Sequence, residues 1–219
     1  MPDLSFRQTL STFPGTAPRL LGKWKVWLVI IGDPSSFAIE SEIAEVLSSN
    51  SQLALGFFVI HLGGTAFGVR KPDASLLGCS FHEVIDRLAR RGTHCIPALD
   101  DIEARLVVDA YLDAIYRQSS RADYFGLSRE EFIDALSRPA VSWAPDGDEA
   151  FDDGSHVLQM DVGNKVRLIA FVHADGGNAA LLSEKWLEAG SFYEVLSRWS
   201  ARFVAERAGR LEQIQTTPT

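Results

Sequence analysis

LQMDVGNKVRLIAFV, the sequence of residues 158–172, predicts two antiparallel strands joined by a tight turn. Its first five residues alternate apolar and polar side chains, which is typical of a strand with one buried face. Gly163-Asn164 has the composition of a two-residue hairpin turn, and the apolar run from Lys165 to Val172 returns beside the first strand. This hairpin therefore favours an antiparallel sheet.

Further strands are predicted on both sides of this hairpin. They are rich in β-branched and aromatic residues and are bounded by Gly, Pro and Asp, as strands usually are. A second hairpin has Gly63-Gly64 at its turn, and the last strand follows Gly176-Gly177. The predicted strands are 24–31, 37–47, 53–62, 65–70 and a segment through residues 181–187.

Helices are predicted where a Ser is followed three residues later by a Glu, because these two side chains can cap the first turn reciprocally. The pairs are Ser80/Glu83, Ser128/Glu131 and Ser191/Glu194. Apolar residues at helical spacing follow each pair, and the helices are predicted to end before Gly92, Pro139 and Gly209. A further helix, apolar on most sides, is predicted over 101–117.

This order of elements predicts an α+β fold rather than repeated βαβ units. Strands come first, helices occupy the middle, and strands with a long helix close the chain. We expect an antiparallel sheet packed against helices in a single domain, residues 23–209, with a helical middle segment. Residues 1–22 are predicted to be a flexible leader and residues 210–219 a flexible tail.

The composition excludes two classes of partner. The formal net charge is −8 and the isoelectric point is about 5.1, whereas nucleic-acid binding requires clustered Lys and Arg. The most apolar stretch, 27–31, is far shorter than the roughly 20 residues that span a bilayer. Charged residues and Pro14 interrupt residues 1–20 where a secretory signal would be apolar. We therefore predict a cytoplasmic protein without nucleic-acid or membrane partners.

The sequence offers a metal site as an alternative, because two cysteines lie near two histidines. Cys79, His82, His94 and Cys95 are potential zinc ligands within one short region, and they would suit a metal-dependent hydrolase. Their spacing is irregular, because His94 and Cys95 are adjacent. The other interpretation is two free thiols in a reducing compartment, with no cofactor.

Acidic residues are concentrated in one region of the chain. Residues 100–153 contain fourteen Asp and Glu against five Arg, so this segment carries −9 and the remainder about +1. The segment is either a solvated loop or a surface that attracts a basic partner, with aromatic residues as anchors. The candidate partner-binding residues are Trp143, Asp146, Asp148, Glu149, Phe151, Asp152 and Asp153. The other four tryptophans, Trp24, Trp27, Trp186 and Trp199, lie in predicted strands or helices, and we expect them to pack in the core.

Several short blocks of sequence, in a fixed order, resemble a known family. The chain is similar to immunity protein family 42 of bacterial polymorphic toxin systems over roughly residues 24–72 and 151–203. The leader and residues 93–150 depart from the family pattern. The blocks that carry the resemblance are IGDPSSFAIE at 31–40, GFF at 56–58, FDDGSH at 151–156, VRLIAF at 166–171, Trp186-Leu187 and Phe192-Tyr193.

The resemblance implies a protein that is encoded beside a toxin gene and that neutralises the toxin by binding it. It implies no catalytic residue, so we expect a non-enzymatic, stoichiometric inhibitor with a cognate toxin as partner. An exposed sheet edge would also allow a homodimer. The alternatives are the metal-dependent hydrolase described above and a binding module unrelated to toxins.

Overall fold

The computed structural model describes residues 19–21, 24–26, 28–49, 51–117, 120–143, 149–174 and 179–216. Two short 3-10 turns, Pro97–Leu99 and Glu149–Phe151, accompany the strands and helices. The strands are β1 Arg19–Leu21, β2 Trp24–Val26, β3 Val29–Asp33, β4 Phe37–Val46, β5 Ala54–Leu62, β6 Thr65–Phe67, β7 Ser75–Leu76, β8 Ser155–Val162, β9 Lys165–His173 and β10 Ala179–Glu188. The helices are α1 Leu77–Ala89, α2 Ala104–Tyr116, α3 Arg129–Ser137 and α4 Ala189–Thr216.

The α+β class and the antiparallel pairing are confirmed, but the strands are divided between sheets. A five-stranded sheet has the order β3-β4-β5-β6, with β7 beside β5. A three-stranded sheet has the order β10-β9-β8, and β1 pairs with β2. The helical middle segment separates β7 from β8 along the chain, so each sheet is built from strands that are near in sequence.

The hairpin at 158–172 is confirmed, although both faces of its strands are buried. Val162 pairs with Lys165 across the Gly163-Asn164 turn. One face packs in a core with α1, α4 and the five-stranded sheet, and the other packs in a core with α2 and α3. The alternating polar residues Gln159 and Asp161 are therefore buried rather than solvated.

One of the three predicted capping boxes is confirmed, and the other two predicted helix starts are wrong. Ser128 Oγ accepts a hydrogen bond from the Glu131 amide at 3.3 Å, and the Ser128 amide donates to Glu131 Oε2 at 2.8 Å. The other two helices begin earlier, at Leu77 and Ala189. There β7 and β10 lead directly into α1 and α4, so the preceding strand sets the first turn and Ser80 lies inside its helix.

The last helix continues past the predicted end of the domain at residue 209. It extends to Thr216, so residues 210–216 are helical rather than a flexible tail. Arg210 donates to the Ile43 carbonyl at 2.6 Å, and Arg207 donates to the carbonyls of Leu47 and Leu53, both at 2.9 Å. These contacts fasten the helix to the five-stranded sheet. No helix in the described part of the chain is both long and apolar enough to cross a membrane.

The boundary of the predicted leader also differs from the structure. Strand β1, at residues 19–21, lies inside the predicted leader 1–22 and pairs with β2. The remaining leader residues lie outside the described ranges.

A buried polar network joins α1 and α4 to β8. Arg87 donates to Gln159 Oε1 and to the Ser142 carbonyl, both at 3.0 Å, and Gln159 donates to the Tyr193 hydroxyl at 2.9 Å. That hydroxyl donates in turn to the carboxylate of Asp161 at 2.9 Å. Burial lowers the pKa of Arg87 to about 10, which leaves its guanidinium charged at neutral pH. Burial and the Asp161 charge raise the pKa of Tyr193 far above its ordinary value, so its hydroxyl remains a donor.

We expect the protein to lose stability as the pH falls below about 6.5, the ordinary pKa of histidine. His94 is fully buried, and its Nδ1 donates to the Pro139 carbonyl at 2.5 Å. Burial, followed by the Arg87 charge, lowers the pKa of His94 in the folded protein. The unfolded chain therefore takes up a proton at this residue before the folded chain does, and acid favours unfolding.

Urea unfolding at pH 5.5 and 7.5 measures this loss of stability. In His94→Asn, a side-chain amide can still donate to Pro139 while the titratable group is gone. The loss between the two pH values should shrink, by at most about 1.4 kcal/mol per pH unit for one proton. An identical loss in both proteins would show that other groups cause it.

Candidate functional site

Three of the predicted acidic residues are exposed at one end of the three-stranded sheet. Here β8 begins and β9 ends, and the His173 amide donates to the Gly154 carbonyl at 2.7 Å. Glu149, Asp152 and Asp153 are all exposed on the turn that leads into β8. We call these three residues the acidic end.

Local packing holds the acidic end in a fixed conformation. The side chains of Ala150 and Phe151 are buried, and the Phe151 ring contacts Phe58 edge-on at 6.3 Å between centroids. The Ala150 carbonyl accepts a hydrogen bond from the Val69 amide at 2.8 Å. Asp153 Oδ1 accepts from the Ser155 amide at 3.0 Å, which closes the turn. The three carboxylates therefore project from an anchored backbone.

Gly154 is required at this turn for two reasons. Its φ of 79° is a conformation that other residues rarely adopt. A Cβ at this position would also lie only 2.7 Å from the His173 carbonyl oxygen. The close approach of β9 to the acidic turn therefore depends on glycine.

Imidazole and phenol rings lie beside the acidic end. The half-buried rings of Tyr116 and His173 have centroids 4.6 Å apart. The buried His156 ring stacks on Phe171 at 5.0 Å, and its Nδ1 lies 3.5 Å from the Tyr111 hydroxyl. These rings join α2 to the ends of β8 and β9. The partly exposed rings of Tyr116 and His173 supply flat aromatic surface, and the backbone of His173 bonds to Gly154, the residue after Asp153.

The structure corrects the two predicted aromatic anchors. Trp143 is 1% exposed and packs in the core, where its ring centroid is 6.0 Å from that of Phe192. The Arg87 guanidinium carbon lies 4.7 Å from the Trp143 ring centroid. Phe151 is also buried. Neither side chain is available to a partner, because both are packed in the hydrophobic core.

Of the remaining predicted residues, Glu149, Asp152 and Asp153 form the acidic end, while Asp146 and Asp148 lie outside the described residues. The sequence did not predict that Tyr116 and His173 belong to this surface. The position of His173 could have been found from the register of the hairpin. Counting back from the Gly163-Asn164 turn places Ser155 opposite Val172, so the next residues along, Gly154 and His173, lie side by side. The position of Tyr116 depends on how α2 packs, and local sequence carries no such information.

The four candidate zinc ligands do not assemble into a site. Cys79 and His82 are exposed on α1, whereas His94 is fully buried. His94 Nδ1 is occupied by the Pro139 carbonyl, and Cys95 Sγ donates to the Asp161 carbonyl at 3.2 Å. Nowhere in the described ranges do three or more His, Cys, Asp or Glu residues converge as metal ligands. The proposed metal-dependent hydrolase thus has no ligand set among these residues.

A second charged cluster lies on the five-stranded sheet. The carboxylate of Glu40 is buried, and His61 Nε2 lies 2.7 Å from its Oε2. The same carboxylate oxygen accepts a hydrogen bond from Arg70, whose side chain is about half exposed. Because β4 and β5 supply two of its three members, this cluster bridges neighbouring strands.

Comparison with known proteins gives a family match. A family model described as immunity protein 42 matches residues 29–202. No curated protein matches the sequence. A solved structure, the crystal structure of CdiI from Burkholderia dolosa AUO158, is similar over 80% of this chain and 99% of that chain, with a TM-score of 0.48 and 18% sequence identity.

Proposed function

Since the chain belongs to the immunity protein 42 family, it is an immunity protein that neutralises a toxin, and we propose that it does so without catalysis, by binding the toxin through its acidic end. Because the chain belongs to this family, we set aside the alternative of a binding module unrelated to toxins. The observation that carries the proposal is the set of three exposed carboxylates on an anchored turn that is hydrogen-bonded to His173, whose ring packs against that of Tyr116.

The charge distribution supports this choice of surface. Residues 100–153 carry −9 while the remainder of the chain carries about +1, and the acidic end belongs to this segment. If these charges lie together in space, they would give the protein an asymmetric electrostatic field. Such a field steers a basic partner towards the acidic side and raises the rate of encounter. A toxin that is basic at its contact surface is therefore the partner that fits.

The rigidity of the turn supports the same surface. Binding is weakened when flexible groups must be ordered, so a preformed surface loses less conformational entropy. The hydrogen bonds of Ala150 and Asp153 fix the backbone from which the carboxylates project. Tyr116 and His173 add aromatic surface, which is common in the centres of protein interfaces.

We further place the protein in the cytoplasm. Cys79 and Cys95 are both free and exposed, and a reducing compartment keeps such thiols from pairing. The role proposed for the protein there is stoichiometric inhibition of the toxin, with no chemical step.

Neutralising the acidic end should slow association with the toxin about tenfold at low salt. The triple variant Glu149→Gln, Asp152→Asn and Asp153→Asn preserves side-chain size, and the amide oxygen introduced at position 153 can still accept the hydrogen bond from the Ser155 amide. Because steering depends on charge, the salt dependence of the association rate should also flatten. Stopped-flow or surface-plasmon measurements against the product of the neighbouring toxin gene, at about 20 and 300 mM salt, record both effects.

A matched control removes the same number of charges from other elements. Glu45, Asp86 and Glu194 are exposed on β4, α1 and α4, and their conversion to Gln, Asn and Gln gives an equal change in net charge. If the control variant slowed association as much as the acidic-end variant, net charge rather than this surface would govern binding. If the wild-type protein formed no complex with the neighbouring gene product, the pairing itself would be refuted.

A further inference from the structure

We propose that the free edge of β10 accepts an extended segment of the toxin as an additional antiparallel strand. This inference rests on the proposed function and specifies how the toxin is held. It is carried by the backbone of β10, where the outward N–H and C=O groups of Glu184 and Trp186 form no hydrogen bond with any described residue.

The register of the hairpin identifies the outward groups. In a two-residue hairpin the residues that flank the turn, here Val162 and Lys165, form a hydrogen-bonded pair, and bonded and non-bonded pairs then alternate. Val166 therefore directs its backbone groups towards Leu187 of β10. By the same alternation, Glu184, Trp186 and Glu188 direct their N–H and C=O groups away from β9.

The opposite edge of the sheet confirms this alternation. On β8 the residues that should face outward are Val157, Gln159 and Asp161. The Asp161 amide donates to the His94 carbonyl at 2.7 Å, and the Gln159 amide donates to the Val141 carbonyl at 2.8 Å. The Val157 carbonyl accepts from the Trp143 amide at 2.7 Å. The β8 edge is thus covered by the chain itself.

Along β10, by contrast, no part of the described chain occupies the outer edge. The backbone N–H and C=O groups of Glu184 and Trp186, and the N–H of Glu188, have no hydrogen-bond partner among the described residues, although β10 is ten residues long. The Glu188 carbonyl instead begins the hydrogen bonding of α4. Unpaired edge groups of this kind are the template for strand addition. Such an edge can pair with an extended polypeptide segment of a partner.

Side chains on β10 provide apolar contacts for an added strand. Trp186 is 43% exposed and its ring lies 5.3 Å from the guanidinium carbon of Arg167. Leu181 is 64% exposed at a bulge in the β9–β10 register. Sequence reasoning placed Trp186 in the core, because its strand pattern does not reveal that β10 ends the sheet.

The β10 edge is continuous with the acidic end. Ala179 at the start of β10 pairs with His173, whose amide donates to the Gly154 carbonyl. A toxin segment lying along β10 would therefore run towards Asp152 and Asp153. A strand that carries basic residues near that end would satisfy both surfaces at once.

Three registers in which a second copy of this chain could pair with the edge place like charges opposite one another. When two copies of β10 pair antiparallel around a two-fold axis, the residue on the axis lies opposite its own copy. An axis through Glu184 therefore pairs two glutamates, and an axis through Lys185 pairs two lysines. When the axis passes through Trp186, Glu184 lies opposite Glu188. Like charges directly opposite one another destabilise a strand pair, so each of these registers is disfavoured.

Amide hydrogen exchange, followed residue by residue in the free protein and in the toxin complex, tests the inference. We expect the amides of Glu184, Trp186 and Glu188 to exchange rapidly when free and at least about tenfold more slowly in the complex. The amides of Ser183, Lys185 and Leu187 already bond to β9 and should be protected in both states. Unchanged exchange at the three outward amides in a formed complex would refute strand addition but leave the immunity function intact.

A pair of variants at one position isolates the backbone contribution. Trp186→Ala removes the side chain but retains the N–H, whereas Trp186→Pro removes both, and proline is tolerated at edge positions whose N–H faces outward. We expect Trp186→Pro to bind the toxin at least about tenfold more weakly than Trp186→Ala. Equal affinities of the two folded variants would contradict the inference. Protection of the outward amides in the free protein, increasing with its concentration, would instead identify a second copy as the occupant and overturn the proposal.

Discussion

Replacement of Trp143 by alanine is expected to lower the free energy of unfolding by about 3–5 kcal/mol. The side chain is 1% exposed, and its ring contacts Phe37, Phe58 and Phe192 at centroid distances of 6.0–6.5 Å. Truncation would leave a cavity between β4, β5 and α4. It would also remove the aromatic face beneath the buried guanidinium of Arg87.

Urea unfolding and toxin binding should be measured together for this variant. Trp186→Ala is the matched control, because Trp186 is 43% exposed and its loss should change stability by about 1 kcal/mol or less. At urea concentrations where Trp143→Ala remains folded, its affinity for the toxin should equal that of the wild type. If Trp143→Ala had wild-type stability but bound the toxin more weakly, Trp143 would be an interface anchor, contrary to the structure.

Replacement of Asp161 by alanine is expected to lower the free energy of unfolding by at least about 3 kcal/mol. Asp161 is 7% exposed, and its Oδ2 accepts hydrogen bonds from the amides of Gly92 and His94 at 2.8 and 3.2 Å. Its carboxylate also accepts from the Tyr193 hydroxyl. Alanine would leave three donors without their acceptor in a buried site.

Two graded variants test this account of the network by urea unfolding. Tyr193→Phe removes one donor and should cost about 1 kcal/mol, while Asp161→Asn retains one acceptor oxygen and should fall between the two. If Asp161→Ala were no more destabilising than Tyr193→Phe, the amides of Gly92 and His94 would not depend on this carboxylate.

Much of the fold could be predicted because its signals are local. The turn at 163–164 and the capping box at Ser128 act over four residues or fewer, and both are confirmed. The starts of α1 and α4 could not be predicted in the same way. There the helices begin directly after β10 and β7, whose ends are set by pairing with β9 and β5, and that pairing overrides the local Ser-x-x-Glu signal.

The two central errors concern tryptophan, and they have one physical cause. Trp143 was predicted as a candidate anchor and is buried, whereas Trp186 was predicted as core and is partly exposed. Periodicity shows that one side of a segment is apolar, but it does not show whether another layer covers that side. That depends on the stacking of sheets and helices.

The family and the immunity function could be predicted from short ordered blocks, and both are confirmed by the match over residues 29–202. The candidate surface was predicted only in part. Charge density along the chain indicated Glu149, Asp152 and Asp153, which are exposed. It could not indicate His173, which joins them through pairing between β8 and β9.

The burial of both faces of β8 and β9 limits how this protein can acquire specificity for a different toxin. Any side-chain change along these strands meets a packed core, so mutational tolerance is low through the centre of the molecule. The exposed side chains of the turn before β8, Glu149, Asp152 and Asp153, and the outer edge of β10 lie outside those cores. Toxin recognition can diverge there while the folded framework is inherited unchanged.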